Sequence, residues 1–372
     1  MSLTGQLHHG ELGRWCETTF TGTASVVNHV RTVAAAGGPP VRPVGAVGED
    51  HWADVGGAAG QRLADLVDPA PPYGAMLGMI RAGWLSWPQA HAQAAAYPSH
   101  ARLPAPQRRR ALALRRTPDG WMDLGTAEHR DPVDPHAEAV MVDLLERTRA
   151  YQAAHAPHGR WGASPGVEAG LARSAWVLGV CEGVYRSGRV DPRLASVLRA
   201  GGGVAELRAL APDTAVADLV DLAARARHAR LVDKLRATGH PDGRHDLRAP
   251  LGVAAPVLVP GWADGDLLAG TPETTMLIDV KTVLTLGDPR RVARWCWQIL
   301  AYAWLDTLDL HHIRSVALYL ARHGTLVTWS ARTLAGALLG NNNPELVARA
   351  RDAFLQTATR VIRAEGGTFP IA

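Results

Sequence analysis

WADGDLLAGTPETTMLIDVKTV, residues 262–283, sets two short apolar runs on either side of the turn TPET, and a third, APVLVP, precedes them at 255–260. Apolar runs of this length, punctuated by Gly, Pro and Asp, predict strands. Alternate side chains of a strand share a face, so Leu277, Asp279, Lys281 and Val283 point one way and Ile278, Val280 and Thr282 the other. On a half-buried strand the carboxylate and ammonium thus placed side by side cost desolvation free energy unless they are paired, hydrated or bound to an ion. An antiparallel neighbour that starts at Asp264 or Asp266 brings a second carboxylate to the first. Two hard oxygen ligands with open water positions suit Mg²⁺, and a lysine beside them can orient or deprotonate an attacking water.

Downstream, Asp288 is a good N-cap and Pro289 takes the favoured first position of a helix that continues through RRVARWCWQILAYAWLDTL, residues 290–308. SVALYLARHGTLVTWS (315–330) alternates on both sides of a glycine-bearing turn and predicts a hairpin, and 344–364 predicts a closing helix. Upstream, three- and four-residue apolar spacing predicts helices over about 166–236, broken by GHPDGRHD at 239–246. The first third carries helical spacing within DHWADVGGAAGQRLADLVD (50–68) and a basic, proline-bearing stretch at 98–120 with six arginines, among them Arg108, Arg109, Arg110, Arg115 and Arg116. The expected organisation is α/β: a mostly helical N-terminal region with a basic segment, 1–165, and a core of mixed sheet flanked by helices, 166–372.

At 372 residues and 47% hydrophobic content the chain can bury a substantial core. No run approaches the ~18 apolar residues of a membrane span, and the polar start MSLTGQLHHGELGRW is unlike a signal peptide, so a cytoplasmic protein without a membrane partner is expected. Three scattered cysteines, Cys16, Cys181 and Cys296, fit reduced thiols. Net charge is +4, and Lys234 and Lys281 are the only lysines among 39 basic residues. Arginine dominates so heavily that a surviving lysine asks for a reason: it is a compact, tunable point charge that the wide guanidinium fork does not replace.

Asp266, Asp279-Val280-Lys281 and Gln298-xxx-Tyr302, in that order, resemble the PD-(D/E)xK nucleases, specifically their RecB-like branch. That branch has an acid at a strand end, (D/E)xK on the next strand and QxxxY on the following helix, where spacing of four puts Gln298 and Tyr302 on one face. The resemblance covers about residues 253–330 and implies a restriction-endonuclease-like core and metal-dependent hydrolysis of DNA phosphodiesters. Asp266, Asp279 and the Val280 carbonyl would hold Mg²⁺ or Mn²⁺, Lys281 would activate water, and Gln298 and Tyr302 would position the lysine or the DNA; Asp264 competes with Asp266 as first ligand. The branch often adds an upstream acid or histidine, for which Glu182 and, less readily, His228 are candidates. Without a cysteine cluster no iron–sulfur centre is implied, and without helicase motifs unwinding would fall to a partner such as a helicase. A catalytically silent DNA-binding or scaffolding module on the same fold is the alternative, against which the intact acidic and lysine positions speak.

Arg290, Arg291 and Arg294 lie in the first turns of the capped helix, where positive charge opposes the helix dipole, and a phosphate backbone nearby would relieve them. EHRDPVDPHAEAV (128–140) carries His129, Asp131, Asp134, His136 and Glu138 but fits no metal template; its HAE lacks the PCxxC of zinc deaminases and predicts a polar loop entering a helix. GGAAGQR lacks the GK[ST] of a phosphate loop, so no ATPase is indicated.

Overall fold

In a computed structural model the described residues are 2–101, 133–238, 249–271 and 274–366. The arginine run at 102–116, His129, Asp131, the break at 239–246 and the centre of the TPET turn lie outside them. The fold is α/β and largely helical, with a mixed five-stranded sheet. Among the described residues the strands are β1 (Gly252–Ala254), β2 (Val257–Val259), β3 (Ala263–Asp264), β4 (Leu267–Thr271), β5 (Thr274–Lys281), β6 (Ile313–Leu320) and β7 (Thr325–Ser330).

The chain forms two compact units, one made of 1–40, 233–245 and 255–372, the other of 41–232 and 246–254. In the first, four strands of the larger sheet run in the order β4-β5-β6-β7, and β2 and β3 form a separate antiparallel pair. β4 and β5 pair antiparallel, β5 and β6 parallel, β6 and β7 antiparallel. The parallel step needs a crossover, supplied by the helix Pro289–Leu305. Asp288 caps that helix as its sequence predicts, accepting from Arg290 N at 2.9 Å and Arg291 N at 3.3 Å. The expected hairpin is β6–β7, turned through a short 3₁₀ segment that closes on Gly324 at φ 64°, a left-handed conformation glycine adopts without strain.

The three helices Leu3–His9, Glu11–Thr19 and Thr23–Ala36 belong to this sheet-bearing unit. Trp15, Phe20, Trp304 and Phe354 interlock at ring-centroid distances of 5.3–6.4 Å, joining N-terminal, crossover and C-terminal helices in one aromatic cluster. Polar ties add to it: Leu3 N donates to Trp262 O, and both Gln6 and the Trp262 indole donate to Glu365.

The second unit is helical, built around Glu49–Val67, Tyr73–Arg81 and Pro165–Ser187. Gly78 lets two of these helices meet closely, since a Cβ there would run into the Cys181 carbonyl. The buried Arg62–Glu168 pair ties Glu49–Val67 to Pro165–Ser187. Cys16, Cys181 and Cys296 are free and buried. Among the described residues no helix is long and apolar enough to cross a membrane.

Candidate active site

β5 carries Asp279 and Lys281 on one face; the strand is buried on both faces over residues 275–279 and opens toward its C-terminal end, so that Asp279 is 4% exposed while Lys281 is half-buried. The β4–β5 register pairs Leu267 with Ile278. One further step in that register puts Asp266 opposite Asp279, and opposed residues of an antiparallel pair share a face. Asp266 Oδ2 accepts from Val280 N at 2.6 Å, which pins its carboxylate across the strand end. Asp264 sits at the end of β3, paired in register with Val257.

Lys281 Nζ lies 2.7 Å from Asp279 Oδ2, off the direction of an ideal hydrogen bond, so charge attraction carries the contact. It also donates to Gln298 Oε1 at 3.3 Å and stands 5.7 Å from the centre of the Trp295 ring. Gln298 is oriented from both ends, because its Nε2 donates to Tyr302 Oη and to Thr4 Oγ1, each at 3.0 Å. Burial raises the Asp279 carboxyl above the ordinary aspartate range, with Lys281 opposing that shift. Tyr302 is pushed well up, first by burial and then by the negative charge of Asp264, Asp279 and Asp266, so its phenol keeps its proton.

Asp266, Asp279, Lys281, Gln298 and Tyr302 are thus brought together. Glu182 and His228 are not among them: both belong to the helical unit, where Glu182 is paired with Arg186 four residues on. Of the three arginines of the crossover helix, Arg291 donates to Thr285 O at 2.8 Å and lies 5.5 Å from the Trp295 ring centre, whereas Arg290 is exposed and Arg294 half-buried.

Three features of the site were not read from the sequence. The helix Leu3–His9 presents Thr4 and His8, four residues apart and therefore on one face. His8 is held below the usual histidine range by partial withdrawal from water and then by the charges of Arg294, His9 and Lys281. A Ser2 N-cap followed by Leu3 and Leu7 was the available signal, a short amphipathic helix that nothing local connects to β5. Trp295 is the second feature, an aromatic face beneath two cations. The third is Arg322, fully buried, whose Nε donates to Thr282 O at 2.8 Å and holds the strand one residue beyond Lys281.

The donor set suits a hard divalent cation. Asp266 and Asp279 supply carboxylate oxygens and Val280 a carbonyl at the end of its strand, and a cation bound there would favour the ionised form of Asp279 that burial disfavours. Among the described residues no three His, Cys, Asp or Glu side chains are gathered closely enough to enclose a metal, so water and a phosphate would complete the coordination. Mg²⁺, which keeps several waters and shares phosphate oxygens, is bound in that way. The chain matches no protein-family model, no curated protein and no solved structure.

Proposed function

We propose that the chain is a metal-dependent nuclease with a restriction-endonuclease-like core, hydrolysing DNA phosphodiester bonds in DNA repair, recombination or defence against foreign DNA. The observation that carries this reading is the convergence of two carboxylates, a lysine and a Gln–Tyr pair where β4, β5 and the crossover helix meet. The strand order supports it too: antiparallel β4–β5, helix, parallel β6, antiparallel β7 is the connectivity expected of such a core.

Asp266, Asp279 and the Val280 carbonyl would hold Mg²⁺ or Mn²⁺, with water and a phosphate completing the coordination. Bound there, the ion supplies Lewis-acid stabilisation of charge on the phosphoryl oxygens and lowers the pKa of water. Asp279 holds the Lys281 ammonium at the strand end, and Gln298 fixes it from the helix side. Lys281 is then suited to orient the attacking water by donating to its oxygen, and its positive charge offsets negative charge building on the phosphate. Tyr302 and Thr4 keep the Gln298 amide in one orientation, so the lysine is positioned before substrate arrives.

The deciding experiment incubates the purified chain with linear, circular and single-stranded DNA in Mg²⁺ or Mn²⁺, beside a Lys281→Ala variant and an EDTA control. Cleavage that requires metal and Lys281 is the expected result, with the circular substrate separating endonuclease from exonuclease action. No cleavage together with no Mn²⁺ binding by calorimetry would refute the reading.

A further inference from the structure

Within the sheet-bearing unit, a cavity of about 580 Å³ opens between the helices Glu11–Thr19, Thr23–Ala36 and Pro289–Leu305, a volume in the range of small-molecule sites. Phe20 and Trp297 give it an aromatic wall, and Arg31, Arg290 and Arg294 stand around it against one carboxylate, Glu17. The Trp297 indole is fixed by donation to Thr23 Oγ1 at 3.2 Å, which makes it a rigid surface. Among the described residues none of these arginines is paired with an acid. Arg31 donates to the carbonyls of Leu286 and Gly287 at 2.9 and 2.8 Å, and the Nε of Arg294 is buried without an acceptor. Asp288 already takes the first backbone N–H groups of the crossover helix, so an anion here would be held by guanidinium groups rather than by the helix terminus.

Position connects this cavity with the candidate active site. Arg290, Arg294, Gln298 and Tyr302 are spaced by four and form one stripe on the crossover helix, each step ~6 Å along the axis.

We propose that this cavity receives one unpaired nucleotide of a single DNA strand, its base against Phe20 and Trp297 and its phosphate on Arg290 and Arg294, with the backbone continuing along the helix face toward Lys281. An aromatic wall takes any base by its flat face, and a guanidinium fork matches phosphate oxygens. A base inside a duplex is stacked on its neighbours and reaches such a cavity only by leaving the stack, so the shape selects unpaired DNA. The assignment rests on the nuclease reading of this helix face and names its substrate class.

Fluorescence anisotropy in EDTA, where metal-dependent cleavage is off, tests it with a labelled single-stranded oligonucleotide and a blunt hairpin of the same sequence. Three chains are compared: wild type, Ala24→Trp, which fills the cavity from an exposed lining position without changing charge, and Arg290→Glu. The single strand is expected to bind at least about tenfold more tightly than the hairpin, and Ala24→Trp to weaken single-strand binding about tenfold while leaving the hairpin unchanged. Arg290→Glu should weaken the single strand and lower the salt slope by about one. Equal affinity for the two DNAs, or single-strand affinity unmoved in an Ala24→Trp chain of unchanged unfolding temperature, overturns the assignment. If Ala24→Trp does not fold, wild type is titrated with oligonucleotides carrying one abasic position in turn; a loss confined to one position supports the cavity, and a uniform response rejects it. Lys281-dependent cleavage with no cavity effect removes only the cavity assignment, whereas cavity-dependent binding without cleavage in metal removes only the nuclease.

Discussion

In the helical unit Arg62 meets Glu168 through two parallel bonds, Nε to Oε2 at 3.1 Å and Nη2 to Oε1 at 3.0 Å, while Gly162 N donates to the same carboxylate and Trp161 lies 5.3 Å from the guanidinium. In the sheet-bearing unit Lys281 meets Asp279 through a single off-direction contact, and burial drives that aspartate toward its protonated form. Both pairs are withdrawn from water, with side-chain exposures of 8% and 8% against 18% and 5%. The first is closed, because a planar fork and a carboxylate satisfy one another in two bonds. The second is open: a point charge is held by an aspartate, an amide oxygen and an aromatic face, and turns toward the strand end where Asp266 stands. Closure serves packing, whereas an open pair keeps unspent charge for something that arrives later.

Removing one partner from each pair separates these roles most sharply. Lys281→Met is expected to lower the cleavage rate about 10³-fold, the scale of a lost donor to charge developing in the transition state. Arg62→Met should leave the rate per folded molecule close to wild type but lower unfolding free energy by about 3–5 kcal/mol, read from urea denaturation, because Glu168 is left charged and buried. Rates that fall equally in both variants would erase the distinction.

Replacing both partners sharpens it further. Asp279→Leu combined with Lys281→Met removes a buried charge that the fold tolerates at a cost, so stability should hold or rise by about 1–4 kcal/mol while Mn²⁺ binding disappears. In the Asp279 carboxyl the sign is explicit: with its folded pKa above the ordinary value, the folded state holds the proton longer, and stability falls as pH rises through that window. The double variant should lack this fall. A double variant less stable than Lys281→Met alone would make the pair structural after all. A smaller effect is expected at Trp295, where Trp295→Leu removes the ring beneath the ammonium and should slow cleavage about 5- to 30-fold.

Residues 255–330 declared themselves because their signals are local. The apolar run around Asp279, the Asp288–Pro289 start and the Gly324 turn each act within a few residues, and the structure carries all three. The contribution of residues 1–40 did not, since it depends on contacts across more than 250 positions: Thr4 to Gln298, Arg31 to Leu286, Thr23 to Trp297. Hydrophobic periodicity reports that a helix has a face to bury and is silent about which partner covers it. For the same reason His8, on a helix of seven residues, gave no local sign of belonging to the sheet-bearing unit.

His8 gives the finest discrimination, because it tests the open site without touching Asp279 or Lys281. Its folded pKa lies below 6.5 through burial and the neighbouring positive charges, so as pH falls the unfolded chain takes up this proton first. Stability from this group is therefore complete above about pH 6.5 and is lost as pH falls from there toward the lowered folded value. Only part of the His8 ring is withdrawn from water and the rest is screened by solvent, so the expected difference is small: between pH 7 and pH 5.5 His8→Gln should lose less melting temperature than wild type by about 1 °C. Raised salt should shrink that difference, because two of the charges responsible, Arg294 and Lys281, act across solvent. A wild-type curve that matches His8→Gln throughout would place the imidazole away from those charges.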